Sequence, residues 1–132
     1  MKIIADTNVL LRAALQDDRE QGRTAVRVLE RAEVVVLSRH ALCEFVWVLS
    51  QSYKFPKTQI VEAINKLIGA KNVLVDQGAV EAGFEALKAG ADFADGVIAY
   101  EGTWLGGETF VSFDKKAVTA LEKQGQKTRL LA

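Results

Sequence analysis

Short apolar runs alternate with amphipathic segments along the chain, and this alternation limits the folds that the chain can adopt. Five runs have the composition of short strands: residues 2–5, 34–37, 73–75, 109–113 and 128–131. The segments between them predict helices at residues 8–15, 39–53, 57–68, 78–88, 92–100 and 115–124. Another helix is predicted before the second strand, with Asp17 or Asp18 as its N-cap. Strands that alternate with helices predict an α/β fold with a parallel sheet and helices on both of its faces.

The length of the chain predicts one domain spanning residues 1–132. Its single cysteine, Cys43, excludes a disulfide scaffold and a zinc site built from cysteines. The N-terminus has no continuous apolar region before a cleavage site, so we predict no signal peptide. The longest other apolar run, residues 45–49, is far shorter than the roughly 20 residues of a spanning helix. We therefore expect a cytoplasmic protein with no membrane association.

The net charge is zero, from 17 basic and 17 acidic residues. This balance argues against a protein that coats nucleic acid through its bulk charge. The charge is unevenly distributed, however, because residues 112–132 carry five basic and two acidic side chains. A polyanion would therefore be bound by a local patch.

Two aspartates directly follow predicted strands. Asp6 ends the first strand, and Asp114 ends the strand at residues 109–113. In a parallel sheet both would lie at the carboxyl edge, where α/β proteins bind ligands. The alternative is that each residue only caps the helix that follows it.

Glu44 lies in the apolar segment of residues 41–49, which predicts a largely buried helix. A buried, unpaired carboxylate is costly, so Glu44 needs a partner or a cation. The alternative to a functional site is a buried ion pair with Arg39 or Arg12.

Asp92 and Asp95 stand three residues apart at the start of a predicted helix and share one face. They also fit a capping box, which we favour for Asp92, whereas a site role is favoured for Asp95. Four carboxylates without positive partners repel one another, and a hard divalent cation such as Mg²⁺ relieves that repulsion. One or two such ions support phosphodiester hydrolysis without a Ser, Cys or His nucleophile.

These residues, in this order, resemble the PIN-domain family and, within it, the VapC-type ribonuclease toxins of toxin–antitoxin pairs. The resemblance covers nearly the whole chain. It rests on four motifs: Ile4-Ala-Asp6-Thr-Asn8-Val-Leu10, Glu44, Ala91-Asp-Phe-Ala-Asp95-Gly-Val-Ile-Ala99 and Val111-Ser-Phe-Asp114-Lys-Lys-Ala117. It implies a three-layer α/β/α fold around a short central parallel sheet.

The resemblance also implies a site. Four acids would surround Mg²⁺ or Mn²⁺ as the catalytic quartet: Asp6, Glu44, Asp95 and Asp114. Asp6 and Asp95 would bind the metal directly, and Glu44 and Asp114 directly or through water. Four further residues would support them: Thr7, Asn8, Asp92 and Ser112. The substrate would be RNA, cut by metal-activated water. Because members of the family usually dimerise and bind an antitoxin, the resemblance also implies a homodimer and an antitoxin partner.

Other side chains are less informative. His40 has no second histidine or cysteine near it, so we expect no zinc or catalytic role, and we expect Cys43 and Trp47 to fill the core. Trp104 is expected at the surface. The arginines at positions 23, 27 and 31 are interpreted first as a solvated helix face and second as an RNA or antitoxin contact. Lys115 and Lys116, next to Asp114, are candidates for a phosphate contact.

Two other functions compete with the ribonuclease. A non-catalytic module that binds an antitoxin–DNA complex would also fit the apolar helices and the neutral charge. A phosphatase of the haloacid-dehalogenase type also places an aspartate after its first strand. That chemistry needs a second acid two residues later, where this chain has Asn8.

Overall fold

The chain folds into two units, Met1–Asp76 and Gln77–Ala132. The computed structural model describes all residues from Met1 to Ala132. Each unit has its own parallel sheet and its own buried core, and each is described by itself below.

The first unit contains three strands and four helices: β1 (Lys2–Ile4), α1 (Thr7–Leu15), α2 (Arg19–Arg31), β2 (Val34–Leu37), α3 (Arg39–Gln51), α4 (Lys57–Ile68) and β3 (Val73–Val75). The strands pair in the order β1-β2-β3. Both pairs are parallel, as predicted, with Ile3 opposite Val35 and Val35 opposite Val73. The element bounds predicted in this unit differ from the observed ones by at most two residues at either end.

Local capping explains where these helices begin. The carboxylate of Asp18 accepts the Gln21 N–H at 3.0 Å, so Asp18 rather than Asp17 caps α2. The Ser38 hydroxyl accepts the Ala41 N–H at 3.0 Å, which starts α3 at the predicted position. Pro56 stands at the N-cap of α4. Its fixed φ suits this position directly before the first turn of the helix.

The core of the first unit lies between the sheet and the apolar faces of its helices. Seven large side chains in this unit are essentially inaccessible to solvent: Leu10, Val35, Leu42, Phe45, Leu49, Ile60 and Ile64. Ile60 and Ile64 are the buried residues of α4. The prediction that Trp47 fills the core is wrong, because Trp47 lies on the outer face of α3 with 61% of its surface exposed.

A surface network joins the end of α1 to the loop after α3. The Tyr53 hydroxyl donates to Asp17 Oδ2 at 2.9 Å, and Arg12 Nη1 lies 3.2 Å from Asp17 Oδ1. The hydrogen bond from Tyr53 lowers the pKa of the Asp17 carboxyl, partial desolvation opposes this, and the positive charge of Arg12 lowers it further. The same hydrogen bond raises the pKa of the Tyr53 hydroxyl.

The second unit contains α5 (Gln77–Lys88), α6 (Phe93–Trp104), β4 (Thr109–Ser112), α7 (Lys115–Lys123) and β5 (Lys127–Leu130). Its two strands pair in parallel, with Val111 opposite Arg129. α6 continues four residues past the predicted end at residue 100, because Gly102 is accommodated inside the helix. The chain turns only at Gly106, whose φ of 106° is a conformation that favours glycine.

Glycines allow α5 and α6 to approach closely. A Cβ atom on Gly96 would collide with the carbonyl group of Ala82 and would lie 2.8 Å from the Cβ of Ala86. Gly83 leaves space in the same way for the ring of Phe93. Phe93 packs edge-on against Phe84 with ring centroids 6.0 Å apart, which completes this contact.

None of the helices in either unit is long and apolar enough to cross a membrane.

Candidate active site

In the first unit, Asp6 lies in the turn between β1 and α1. It is the N-cap of α1, and its Oδ1 accepts the Thr7 N–H at 2.9 Å. Its side chain is exposed. Asp6 therefore does cap the helix that follows it, as the alternative interpretation stated. The capping hydrogen bond occupies only one of its two carboxylate oxygens.

Glu44 projects from α3 and meets the residue that follows Asp6. The hydroxyl of Thr7, which is buried, donates to Glu44 Oε1 at 3.0 Å. This contact joins the first two motifs of the sequence. The prediction that Glu44 is buried is wrong, because 53% of its side chain is exposed. The alternative of a buried ion pair with Arg39 or Arg12 is also wrong, since Arg12 pairs with Asp17 and Arg39 pairs with Asp76.

His40 is a neighbour of the site that the sequence analysis set aside. Its Nε2 lies 3.2 Å from Glu44 Oε1, so His40 and Thr7 both contact the same oxygen. The signal was present in the sequence, because residues four apart on a helix lie on one face. His40 and Thr7 together limit the rotamers of Glu44 and leave its Oε2 available.

In the second unit, Asp95 lies in the first turn of α6. Its Oδ2 accepts the backbone N–H of Asp92 at 3.2 Å, which is the predicted capping-box arrangement. Burial raises the pKa of the Asp95 carboxyl, and the negative charges of Asp92 and Asp114 raise it further, whereas the hydrogen bond from Asp92 lowers it. The structure thus brings Asp92, Asp95 and Asp114 near enough to repel one another.

Asp114 follows β4 and caps α7. Its Oδ1 accepts the backbone N–H of Lys116 at 2.9 Å and that of Ala117 at 3.3 Å. Ser112 supports this turn, because its hydroxyl accepts the Asp114 N–H at 2.9 Å. Lys115 and Lys116 are exposed beside Asp114.

The four acids of the predicted quartet share two properties. Each uses one oxygen for the hydrogen bonds described above. None forms an ion pair with a lysine or an arginine. Carboxylate oxygens without basic partners are the donors that Mg²⁺ and Mn²⁺ prefer, so the chemistry of this set fits a hard divalent cation. Within either unit, no group of three His, Cys, Asp or Glu side chains is arranged to hold a metal ion.

The remaining predicted residues lie at the surface. Asn8 is exposed on the first turn of α1, two residues after Asp6. Trp104 is exposed as expected, and its indole N–H donates to the Tyr100 hydroxyl at 3.2 Å. Cys43 is partly buried.

Comparison with known protein families gives one match. The family model described as PIN domain matches residues 3–120, a range that includes all four motifs and runs through both units. The chain belongs to the PIN domain family. Comparison with curated proteins finds no match.

Membership of the PIN family confirms the α/β fold class expected from the sequence. PIN domains are generally nucleases, and PIN nucleases generally use divalent metal ions. The family assignment therefore indicates a hydrolase that acts on nucleic acid.

Proposed function

We propose that this PIN protein is a metal-dependent endoribonuclease and the toxin of a toxin–antitoxin pair. One observation supports the catalytic part above all. Four acids from four motifs lie at or beside helix starts or on a helix face, and none is neutralised by a lysine or an arginine. In a chain of the PIN family this is the composition of a site for divalent cations.

The proposed ligands are Asp6 and Asp95, with Glu44 and Asp114 acting directly or through water. The pKa of Asp95 is raised first by burial and then by the charges of Asp92 and Asp114, and the free energy of metal binding would include relief of that repulsion. Asp92 is interpreted as a helix cap that adds negative charge to the site.

The chain's own side chains would hold the acids in place. Thr7 fixes Glu44 through its hydroxyl, and Ser112 fixes the turn that carries Asp114. Asn8 is exposed where it can donate to a bound strand. Lys115 and Lys116 would contact phosphate. When bound, Mg²⁺ or Mn²⁺ supplies activation of water and stabilisation of charge on the leaving oxygen.

The test of catalysis is cleavage of an RNA pool with Mg²⁺, with Mn²⁺ and with EDTA. We expect cleavage only with metal, and a loss of about a hundredfold or more in Asp6→Asn and in Asp95→Asn. Both replacements keep an oxygen that can accept the capping hydrogen bond. Glu62→Gln, which changes an exposed carboxylate on α4, is the matched control and should cleave like the parent.

Two results would contradict the catalytic proposal. One is cleavage that persists in EDTA, and the other is full activity of both aspartate variants. Thermal unfolding of each variant separates loss of chemistry from loss of folding.

An apolar pocket of about 320 Å³ in the first unit supports the partner role. It lies between α1, α2, α4 and the sheet, and Glu30 and Lys66 stand among its lining residues. The pocket is large enough for a few apolar side chains of an antitoxin segment, and its lining includes one side chain of each charge. This proposal also includes a single domain over residues 1–132, a homodimer and a cytoplasmic location.

The toxin role has its own test. The product of a small reading frame adjacent to this one should bind the chain and inhibit RNA cleavage. Ala63→Glu, which places a charge in the pocket, should weaken that inhibition without weakening cleavage. If active protein is cleaving RNA and no adjacent product inhibits it, the toxin role is wrong and the nuclease role stands. If the pair binds but the chain cleaves no RNA, the non-catalytic module is the better description.

A further inference from the structure

A row of arginines runs along α2 without acidic partners. Arg23, Arg27 and Arg31 are exposed and spaced four residues apart. We call them the arginine stripe. At 1.5 Å per residue the stripe is about 12 Å long. None of the three forms an ion pair or a side-chain hydrogen bond in the structure.

The stripe is unfavourable for the isolated helix. Like charges four residues apart on a helix destabilise it by a few tenths of a kcal/mol per pair. Glu20 and Glu30 are on the same helix, yet neither forms an ion pair with the stripe. An anionic ligand would relieve this repulsion.

A polar groove adjoins the stripe. It has a volume of about 750 Å³ and lies between α1 and α2. Asn8, Gln21 and Thr24 provide hydrogen-bonding side chains within it. Asp18 and Glu20 also line the groove, at the end where α2 begins. Glu20 is one helical turn before Arg23, so Arg27 and Arg31 are the members of the stripe farther from these acids.

The groove also reaches the candidate active site. Asn8 lines it, and Asn8 is two residues from Asp6 on the first turn of α1. The groove residues Glu20, Thr24 and Val28 stand three residues before Arg23, Arg27 and Arg31, and residues three apart are neighbours on a helix surface. The arginines therefore border the groove along its length.

We propose that the groove and the arginine stripe bind the phosphate backbone of an RNA strand and direct it toward Asp6. Guanidinium groups bind phosphate through paired hydrogen bonds, and the groove's amide and hydroxyl groups suit ribose and phosphate oxygens. Six of the nine residues that line the groove are polar or charged, and the stripe adds three positive charges, which favours a nucleic acid over a folded protein partner. The choice of RNA rests on the proposed nuclease function.

The experiment measures binding of a fluorescein-labelled single-stranded RNA oligonucleotide of mixed sequence by fluorescence anisotropy in EDTA. EDTA prevents metal-dependent cleavage, so binding is measured whether or not the protein is a nuclease. The test variant replaces Arg23, Arg27 and Arg31 with Gln. The control variant removes three exposed charges elsewhere: Lys57→Gln, Lys71→Gln and Lys123→Gln.

We expect the Kd of the test variant for RNA to rise about tenfold or more at low salt. The slope of log Kd against log salt should fall by about 2, since each of three phosphate contacts on a single strand contributes about 0.7 to it. The control should differ far less in both. In metal, KM for a long RNA should rise in the test variant while cleavage of a dinucleotide is unchanged.

Equal losses in the test and control variants would overturn the proposal, because they would indicate bulk charge alone. Unchanged RNA binding, with weakened binding of polyglutamate, would assign the stripe to an acidic protein and would also overturn it. Thermal unfolding verifies that the test variant is folded. If the parent cleaves no RNA but the stripe still controls RNA affinity, the proposed catalysis is wrong, and the groove with the arginine stripe remains an RNA-binding surface.

Discussion

Gly96 provides the most direct test of how α5 and α6 position the candidate site. It follows Asp95, and its α-carbon faces the backbone of Ala82. A Cβ at this position would lie 2.7 Å from the carbonyl carbon of Ala82, a distance that real Cβ atoms essentially never show. The neighbour is backbone, so Gly96→Ala can be accommodated only if the two helices separate.

The expected change in the free energy of unfolding of Gly96→Ala is the difference between two opposing effects. Overpacking of this kind costs about 3 kcal/mol at the upper end of its usual range, because a helix rather than a side chain has to move. Alanine in place of glycine inside a helix returns about 1 kcal/mol. We therefore expect Gly96→Ala to lower the free energy of unfolding by about 2 kcal/mol. For a chain of this length that is a fall in Tm of about 7 °C.

Gly102→Ala is the matched control. Gly102 lies in the same helix, and a Cβ there would meet no atom within 4 Å. The helix-propensity gain then acts alone, so we expect an increase of about 0.5–1 kcal/mol. Urea unfolding followed by circular dichroism measures both variants. The reasoning is refuted if Gly96→Ala is as stable as the parent, or if both alanine variants change stability in the same direction.

Three further predictions concern single contacts. Tyr53→Phe should reduce stability at neutral pH. The stability difference between the parent and the variant should vanish below the lowered pKa of Asp17, where the carboxyl is protonated in the folded and the unfolded protein. It should also vanish above the raised pKa of Tyr53, where the hydroxyl has lost its proton. Urea unfolding at a series of pH values measures this difference. An unchanged difference in acid would contradict this. Thr7→Val should weaken Mn²⁺ binding about tenfold by calorimetry, whereas Thr7→Ser should retain it; equal affinities would exclude a positioning role for the hydroxyl. Asp18→Ala should lower the free energy of unfolding by about 1 kcal/mol through loss of the cap, and Asp18→Asn should not.

Most helix starts could be predicted because their causes are local. Ser38 and Asp18 cap helices through bonds to residues three positions later, and such pairs can be recognised in the sequence. The end of α6 was predicted too early, at residue 100, whereas the helix continues through Gly102 to Trp104. The actual stop is Gly106, where φ is positive.

Burial on α3 could not be predicted in the same way. The segment is apolar on all sides, so its pattern does not indicate which face the rest of the unit covers. Packing leaves Trp47 and Glu44 on the exposed face and buries Phe45 and Leu49. The acidic motifs themselves were evident from the sequence, whereas the contacts of Glu44 with Thr7 and His40 depend on how α1 and α3 pack together.

The capping bonds of the acids have a consequence for how a cation would be bound. Asp6 and Asp114 are each anchored at a helix N-terminus, where the partial positive charge of the helix offsets part of the carboxylate's own charge. The side chains are thus already ordered before any ion arrives, and binding need not spend conformational entropy to collect them. Preorganisation of this kind favours a small ion with strict coordination geometry, and it keeps these two carboxylates in place in the metal-free protein.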